Sequence, residues 1–320
     1  MTDNVPHADR IHSALSSNRA AHSALVASWQ RSSSLHRLDP SDHAPPRRLT
    51  ETELRGARER MEPLVRAAQA SLDRLYLAVG GVGCCVLLAD RYGVPVERRG
   101  SPADDRTFRD WGLWTGTVWS EDAEGTNGIG TCLIEHRPVT IDREQHFLSR
   151  NTLLSCTTAP IYDHEGHLAA ALDVSSCRAD LTQGFLNLIS IAVVDAARRI
   201  EADHFRLAFP DARIALAPTP ENSVGALVAV DGNDVVIGAT RAARLALGLT
   251  RESLNGNLAA ADILGREGEE KLDLPSAERA MLQRVLTRHR GNVSAAAQQL
   301  GISRATLHRK LNRFGLRRPN

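Results

Sequence analysis

The sequence predicts an α+β protein built in parts, with an all-α module at its C-terminal end. Three observations predict this. Charge is divided unevenly: residues 276–320 hold ten Arg or Lys and one acid, Glu278, a net of +9. The whole chain is +1, so the first 275 residues carry −8. Short apolar strands bounded by turns occur between residues 84 and 175, whereas helical spacing dominates on either side. A length of 320 residues accommodates two or three domains.

Residues 1–77 read as a polar helical region. Ala20 to Trp29 is one amphipathic stretch, Pro40, Pro45 and Pro46 punctuate a linker, and Thr50 to Leu77 forms a longer helix. Residues 78–205 read as an α+β sensor-like domain. Cys84 to Asp90 is an apolar strand, Pro138 to Asp142 a short one, and Thr157 to Ser175 a hairpin turning at His164-Glu165-Gly166. Leu181 to Phe205 closes the domain with a helix. Residues 215–268 read as strand, Asp-Gly-Asn turn, strand and Ala/Leu helix, either a truncated PAS-like module or a plain spacer.

Residues 275–320 read as three helices. Met281, Leu282, Val285 and Leu286 give the first its apolar stripe. Gly291-Asn292 ends it, with Asn292 as N-cap of the short Ala-rich second helix. Gly301 permits a tight turn, and Ser303 caps the third helix. There Leu307 and Leu311 face inward and Arg304, His308, Arg309 and Arg313 outward. Helix, glycine turn and basic helix form a helix-turn-helix reader, whose second helix enters the major groove. The candidate DNA-binding residues are Ser303, Arg304, Thr306, His308, Arg309, Lys310 and Arg313. Pairing the Met281–Leu286 stripe across a two-fold axis would make a homodimer.

Gly291-Asn-Val-Ser-Ala-Ala-Ala297 and Leu300-Gly-Ile-Ser-Arg-Ala-Thr-Leu-His-Arg-Lys-Leu311 resemble the Fis-type DNA-binding domain. Trp119 to Thr131, Glu144 to Phe147, Cys156 to Ile161 and Leu172 to Ser175 resemble the GAF sensor domain of regulators similar to the acetoin-catabolism regulator. Ser28-Trp-Gln-Arg-Ser32 and Leu38-Asp-Pro40 resemble that group's N-terminal signature. The resemblance implies an α+β, GAF-like fold with a ligand pocket over one sheet face. One departure matters: the chain has no G-x-x-x-x-G-K-[ST] phosphate loop and no Gly-Ala-Phe-Thr-Gly-Ala loop. ATP-driven activation of σ54 polymerase is therefore not expected.

Within the sensor, the candidate effector-binding residues are Trp119, Asn127, Thr131, Phe147, Cys156 and Thr157. A largely apolar pocket with few polar groups suits a small neutral or aromatic metabolite. Gly125, Gly128 and Gly130 lack the preceding strand of a dinucleotide site, which leaves them turn and helix-start roles. His136, His146, His164 and His167 match no zinc spacing. No catalytic residue, metal or cofactor is expected. Five cysteines in mostly apolar surroundings suit reduced thiols. The N-terminus lacks a signal-peptide pattern and no run of 18 apolar residues exists. These features predict a cytoplasmic protein, not membrane-bound, whose partners are double-stranded DNA, a small-molecule effector and a second copy, with RNA polymerase as a further candidate. Two alternatives stand beside this effector-responsive transcription regulator: a GAF-type thiol redox sensor or free methionine sulfoxide reductase, and a DNA-bending architectural protein.

Overall fold

The structure, a computed structural model, describes residues 6–16, 23–218, 225–255, 258–264, 275, 278–279, 281–282, 285–286, 289 and 291–316. Residues 20–22, and 219–224, 256–257 and 265–268 of the spacer, lie outside them. The chain divides into two compact units, Met1–Ala208 and Phe209–Asn320.

The first unit opens with an arm of two helices, α1 (His7–Ser16) and α2 (Ala24–Gln30). The long helix α3 (Glu51–Val79) starts at a capping box, in which Thr50 and Glu53 each bond the other's backbone N–H. It buries Leu54, Ala57, Met61, Leu64, Ala68, Leu72, Leu75 and Val79, one stripe at intervals of three and four. Five strands follow: β1 (Cys84–Asp90), β2 (Pro95–Arg99), β3 (Val139–Asp142), β4 (Ser155–Tyr162) and β5 (Leu168–Ser176). They form one antiparallel sheet in the order β2-β1-β5-β4-β3.

Side chains alternate across a pleated sheet, so β1 supplies both of its faces. Cys84, Val86 and Leu88 join a core under α3 and α7 (Gln183–Ala208). Cys85, Leu87 and Ala89 join a second core with Phe108, Trp119, Ile129 and Leu133 on the opposite face. That face is covered by short helices α4 (Asp105–Asp110), α5 (Glu121–Glu124) and α6 (Gly128–Glu135) with their connecting loops.

In the second unit, β6 (Arg213–Leu216), β7 (Leu227–Val230) and β8 (Val236–Ala239) form an antiparallel sheet. Strand β6 is an addition to the elements expected from the sequence. It is followed by α8 (Arg241–Leu247), α9 (Arg251–Asn255) and α10 (Ala260–Leu264). The C-terminal module has its own core: Leu282, Val285, Leu286, Val293, Ala296, Ala297, Leu307 and Leu311.

Candidate functional site

The C-terminal module presents one basic helix on a small apolar base. Asn292 caps the helix Val293–Gln299 by accepting from Ser294 and Ala295 N–H. Gly301 turns the chain at φ +64°, and Ser303 caps the reader helix Arg304–Arg313 by accepting from Thr306 N–H at 3.1 Å. Leu307 and Leu311 anchor that helix inward. Ser303, Arg304, Arg309 and Arg313 are exposed; Thr306 and His308 are half-buried. Ser303 and Thr306 hydroxyls bond each other at 2.8 Å, fixing the helix start. Lys310 is spent on an ion pair with Glu278 and thereby ties the reader helix to the segment that precedes Asn292.

One expectation is overturned. The Met281–Leu286 stripe does not lie open for a second copy. Leu282, Val285 and Leu286 are buried within the module, against the two following helices, and only Met281 is exposed. An amphipathic stripe has to be buried, and here the module's own helices cover it.

In the first unit, the six candidate effector residues are all at most 3% exposed. Trp119 packs in the second core and donates its indole N–H to Gly112 O at 2.9 Å. Asn127 caps α6 by accepting from Gly130 N–H and donates to Gly125 O. Thr131 accepts from Asn127 N–H at 3.3 Å. Cys156 Sγ lies 3.1 Å from the Ser175 hydroxyl, and Thr157 bonds Thr140 across β3–β4. Phe147 packs apart from these, with Ile11 and Leu148. The structure thus joins Trp119 and Cys156 in one core and Asn127 with Thr131 at one helix start. Of the six, Thr131 also lines a cavity of about 300 Å3, beside α2 and β3.

Two groups that the sequence left without roles stand out. The first is Asp173, wholly buried on the second sheet face. It accepts from Thr158 at 2.5 Å and from Ser175 at 2.6 Å. Burial pushes its carboxyl up to about 6, against the pull of the two hydroxyls. Gly128 lies directly above; a Cβ there would stand 2.6 Å from Thr158 Oγ1 and 3.0 Å from Asp173 Oδ1. Glycine lets α6 begin against the carboxyl.

The second is the clamp that holds the arm. Arg31 grips buried Glu121 with a two-pronged fork, at 2.7 and 3.0 Å, and reaches Glu135 at 3.2 Å. Ser28 donates to Glu121 at 3.2 Å and bonds Thr126 at 2.7 Å. Ser32, wholly buried, bonds Thr126 as well. The residues resembling an N-terminal signature therefore dock the arm onto the segment that leads into α6.

Burial shifts His146 the other way, down to about 4, because its charged form loses water. The two groups have opposite linkage. Asp173 costs stability progressively as pH rises from 3.8 to about 6, where the unfolded chain has already lost the proton. Asp90 and Glu124, also raised by burial, share its sign. His146 costs stability as pH falls from 6.5 to about 4. Relative to the wild type, Asp173→Asn should therefore gain about 3 kcal/mol as pH climbs through that window. Urea denaturation at a series of pH values checks this. A pH-independent difference would contradict the carboxyl's assigned state.

All five thiols sit in environments that oppose ionisation. Burial raises Cys84 to about 11 and Cys177 to about 12, and raises Cys85, Cys132 and Cys156 as well. A nucleophilic or redox cysteine needs the thiolate, so the thiol-reductase alternative is not favoured. Among the described residues, no group of three His, Cys, Asp or Glu could hold a metal, and no helix is long and apolar enough to cross a membrane.

Comparison with known proteins agrees with this geometry. Residues 63–200 match the GAF domain, and residues 274–314 match the bacterial regulatory protein, Fis family. The acetoin catabolism regulatory protein of Cupriavidus necator is 33% identical over 267 residues, covering 81% of this chain and 39% of that protein. The acetoin dehydrogenase operon transcriptional activator AcoR of Bacillus subtilis is 30% identical, over 55% of this chain and 29% of that protein. The chain thus spans less than half the length of these two relatives. In fold, the E. coli DhaR(N)–DhaL complex is similar: TM-score 0.52 at 17% identity, over 83% of this chain and 85% of that one.

Proposed function

We propose that this chain, which carries a GAF domain and a Fis-type helix-turn-helix and is homologous to acetoin catabolism regulators, is an effector-responsive, sequence-specific DNA-binding transcription regulator. The observation that carries the reading is the capped helix Arg304–Arg313. It holds Arg304, Arg309 and Arg313 exposed while Leu307 and Leu311 fix it from behind. A rigid helix with a cationic outer face suits a major groove, and its N-terminal half meets base edges. In this reading Ser303, Arg304, Thr306, His308 and Arg309 face bases, and Arg313 faces phosphate. Lys310 contributes through its tie to Glu278.

The GAF unit receives a small neutral metabolite, and its response alters how paired readers sit on DNA. No catalysis is needed. Pairing is required because one module reads one half-site. Leu188 and Ile191, one turn apart on α7 and 63% and 68% exposed, give the first unit an apolar surface for a homodimer. That surface replaces the stripe found buried in the module. Residues 201–273, between the two matched segments, hold the small sheet of the second unit in place of an ATPase. Regulation in this reading runs through DNA occupancy and RNA polymerase contact, without ATP hydrolysis.

Two titrations test it. If a dimer neutralises about 6–10 phosphates, operator affinity should fall on the order of 10³–10⁵ between about 50 and 200 mM salt. A flat salt response would mean that the basic helix does not touch DNA. Arg304→Ala should lower the ratio of specific to random binding by about 1–3 kcal/mol, the range of one base contact. An unchanged ratio in a gel-shift series would remove Arg304 from the readout.

A further inference from the structure

We infer that the effector is held in the cavity of about 300 Å3 between α2 and the β3 edge, so that the N-terminal arm forms one wall of the sensor's binding site. This rests on the reading of the first unit as a sensor and places the site outside the buried sheet face. That face is filled around Trp119 and Asp173, whereas this cavity stands open beside Thr131.

The walls define the ligand. Ala24 and Leu25 come from the arm, and Pro138, Val139 and Ile141 from β3 and its approach. Leu25 packs on Cys132, Val139 and Ile141, so the arm and the domain share one apolar lining. The charges at the rim are already committed: Glu135 is paired with both Arg31 and Arg137. Ser190 of α7 also lines the cavity, and Thr131 and Gln145 keep hydrogen to give. Thr131 uses its oxygen to accept from Asn127 N–H, and its O–H has no acceptor among the described residues. Gln145 uses Oε1 to accept from Asp142 N–H, leaving its amide hydrogens. Donors without a free charge select a small uncharged molecule with an acceptor oxygen, carbonyl or ether, on a short apolar body. A volume near the lower end of small-molecule sites limits it to a small metabolite.

The position also explains how occupancy is sensed. Ser28 and Arg31 lie three and six residues beyond Leu25 on the same stretch of helix, and both clamp Glu121. A molecule seated against Leu25 bears on the element that fixes the approach to α6.

Methyl-resolved NMR of the full chain tests the site, with butan-2-one as probe and acetate as the charged control. Saturable shifts at Leu25, Thr131, Val139 and Ile141 with butan-2-one, and none with acetate, are expected. Ala24→Trp, which fills the cavity from the exposed side of the arm, should weaken binding about tenfold or more, as should Thr131→Val, which removes one donor and leaves the arm untouched. Saturable shifts confined to Leu87, Ile129 and Leu133 would overturn the arm site while leaving the sensor reading intact. The same holds for full binding by both variants. Saturable shifts nowhere in residues 7–208 would overturn both.

Discussion

Replacing Leu282 and Val285 together with aspartate should unfold the C-terminal module and abolish DNA binding, while residues 1–208 stay folded. Both side chains are within 9% of full burial in a core of eight residues. Two unpaired carboxylates there cost well beyond the roughly 4–5 kcal/mol that marks an exceptional single substitution. A module of some 40 residues has little margin to absorb this. Met281→Asp supplies the contrast. Met281 is 54% exposed, so its replacement should change stability by no more than about 0.5 kcal/mol. Were the stripe a contact between copies, Met281→Asp would instead abolish operator binding in a folded module. Circular dichroism and gel shifts on the two variants separate these outcomes.

Breaking the arm clamp should have the second largest effect. Arg31→Ala leaves Glu121, whose side chain is 1% exposed, without its cation. Removing one partner of a buried pair costs about 3–5 kcal/mol, mainly because the remaining charge is stranded. For a unit of this size that lowers the melting temperature by roughly 10 °C. Arg31→Met with Glu121→Leu should recover much of the loss, since no charge is then left buried. A double variant as unstable as the single one would show that shape, not charge, holds the arm. Limited proteolysis between α2 and α3 gives an independent readout.

The sequence made the reader helix legible because its signals are local. Asn292, Gly301 and Ser303 act on residues two to four positions away, and the structure uses each as the spacing requires. Strands β1, β3, β4 and β5 were legible through their turns, whereas β2 was not read, and the opposite facing of Cys84 and Cys85 followed from the pleat. What stayed hidden depends on distant partners. Arg31 and Glu121 are 90 residues apart, so neither reveals the other. The stripe at Leu282 and Val285 demanded burial but did not say by what. Trp119 illustrates a further ambiguity. An indole satisfied by Gly112 O and a pocket wall look alike in sequence. Strand β6, four residues long, is too short to carry a pattern of its own.

The arm's long-range contacts also have a consequence for the order of synthesis. His7 bonds the backbone of His146, Trp29 that of Gln145, and Ser149 that of Pro40, separations of 139, 116 and 109 residues. The arm leaves the ribosome well before its seat, which does not exist until residue 149 has emerged. At roughly 5–20 residues per second, the nascent arm waits on the order of ten seconds. Through that interval Ile11 and Val26, buried in the finished protein, remain in water. Closing such distant contacts is the slow part of building a domain. The arm, made well before its seat, is therefore among the last segments to settle.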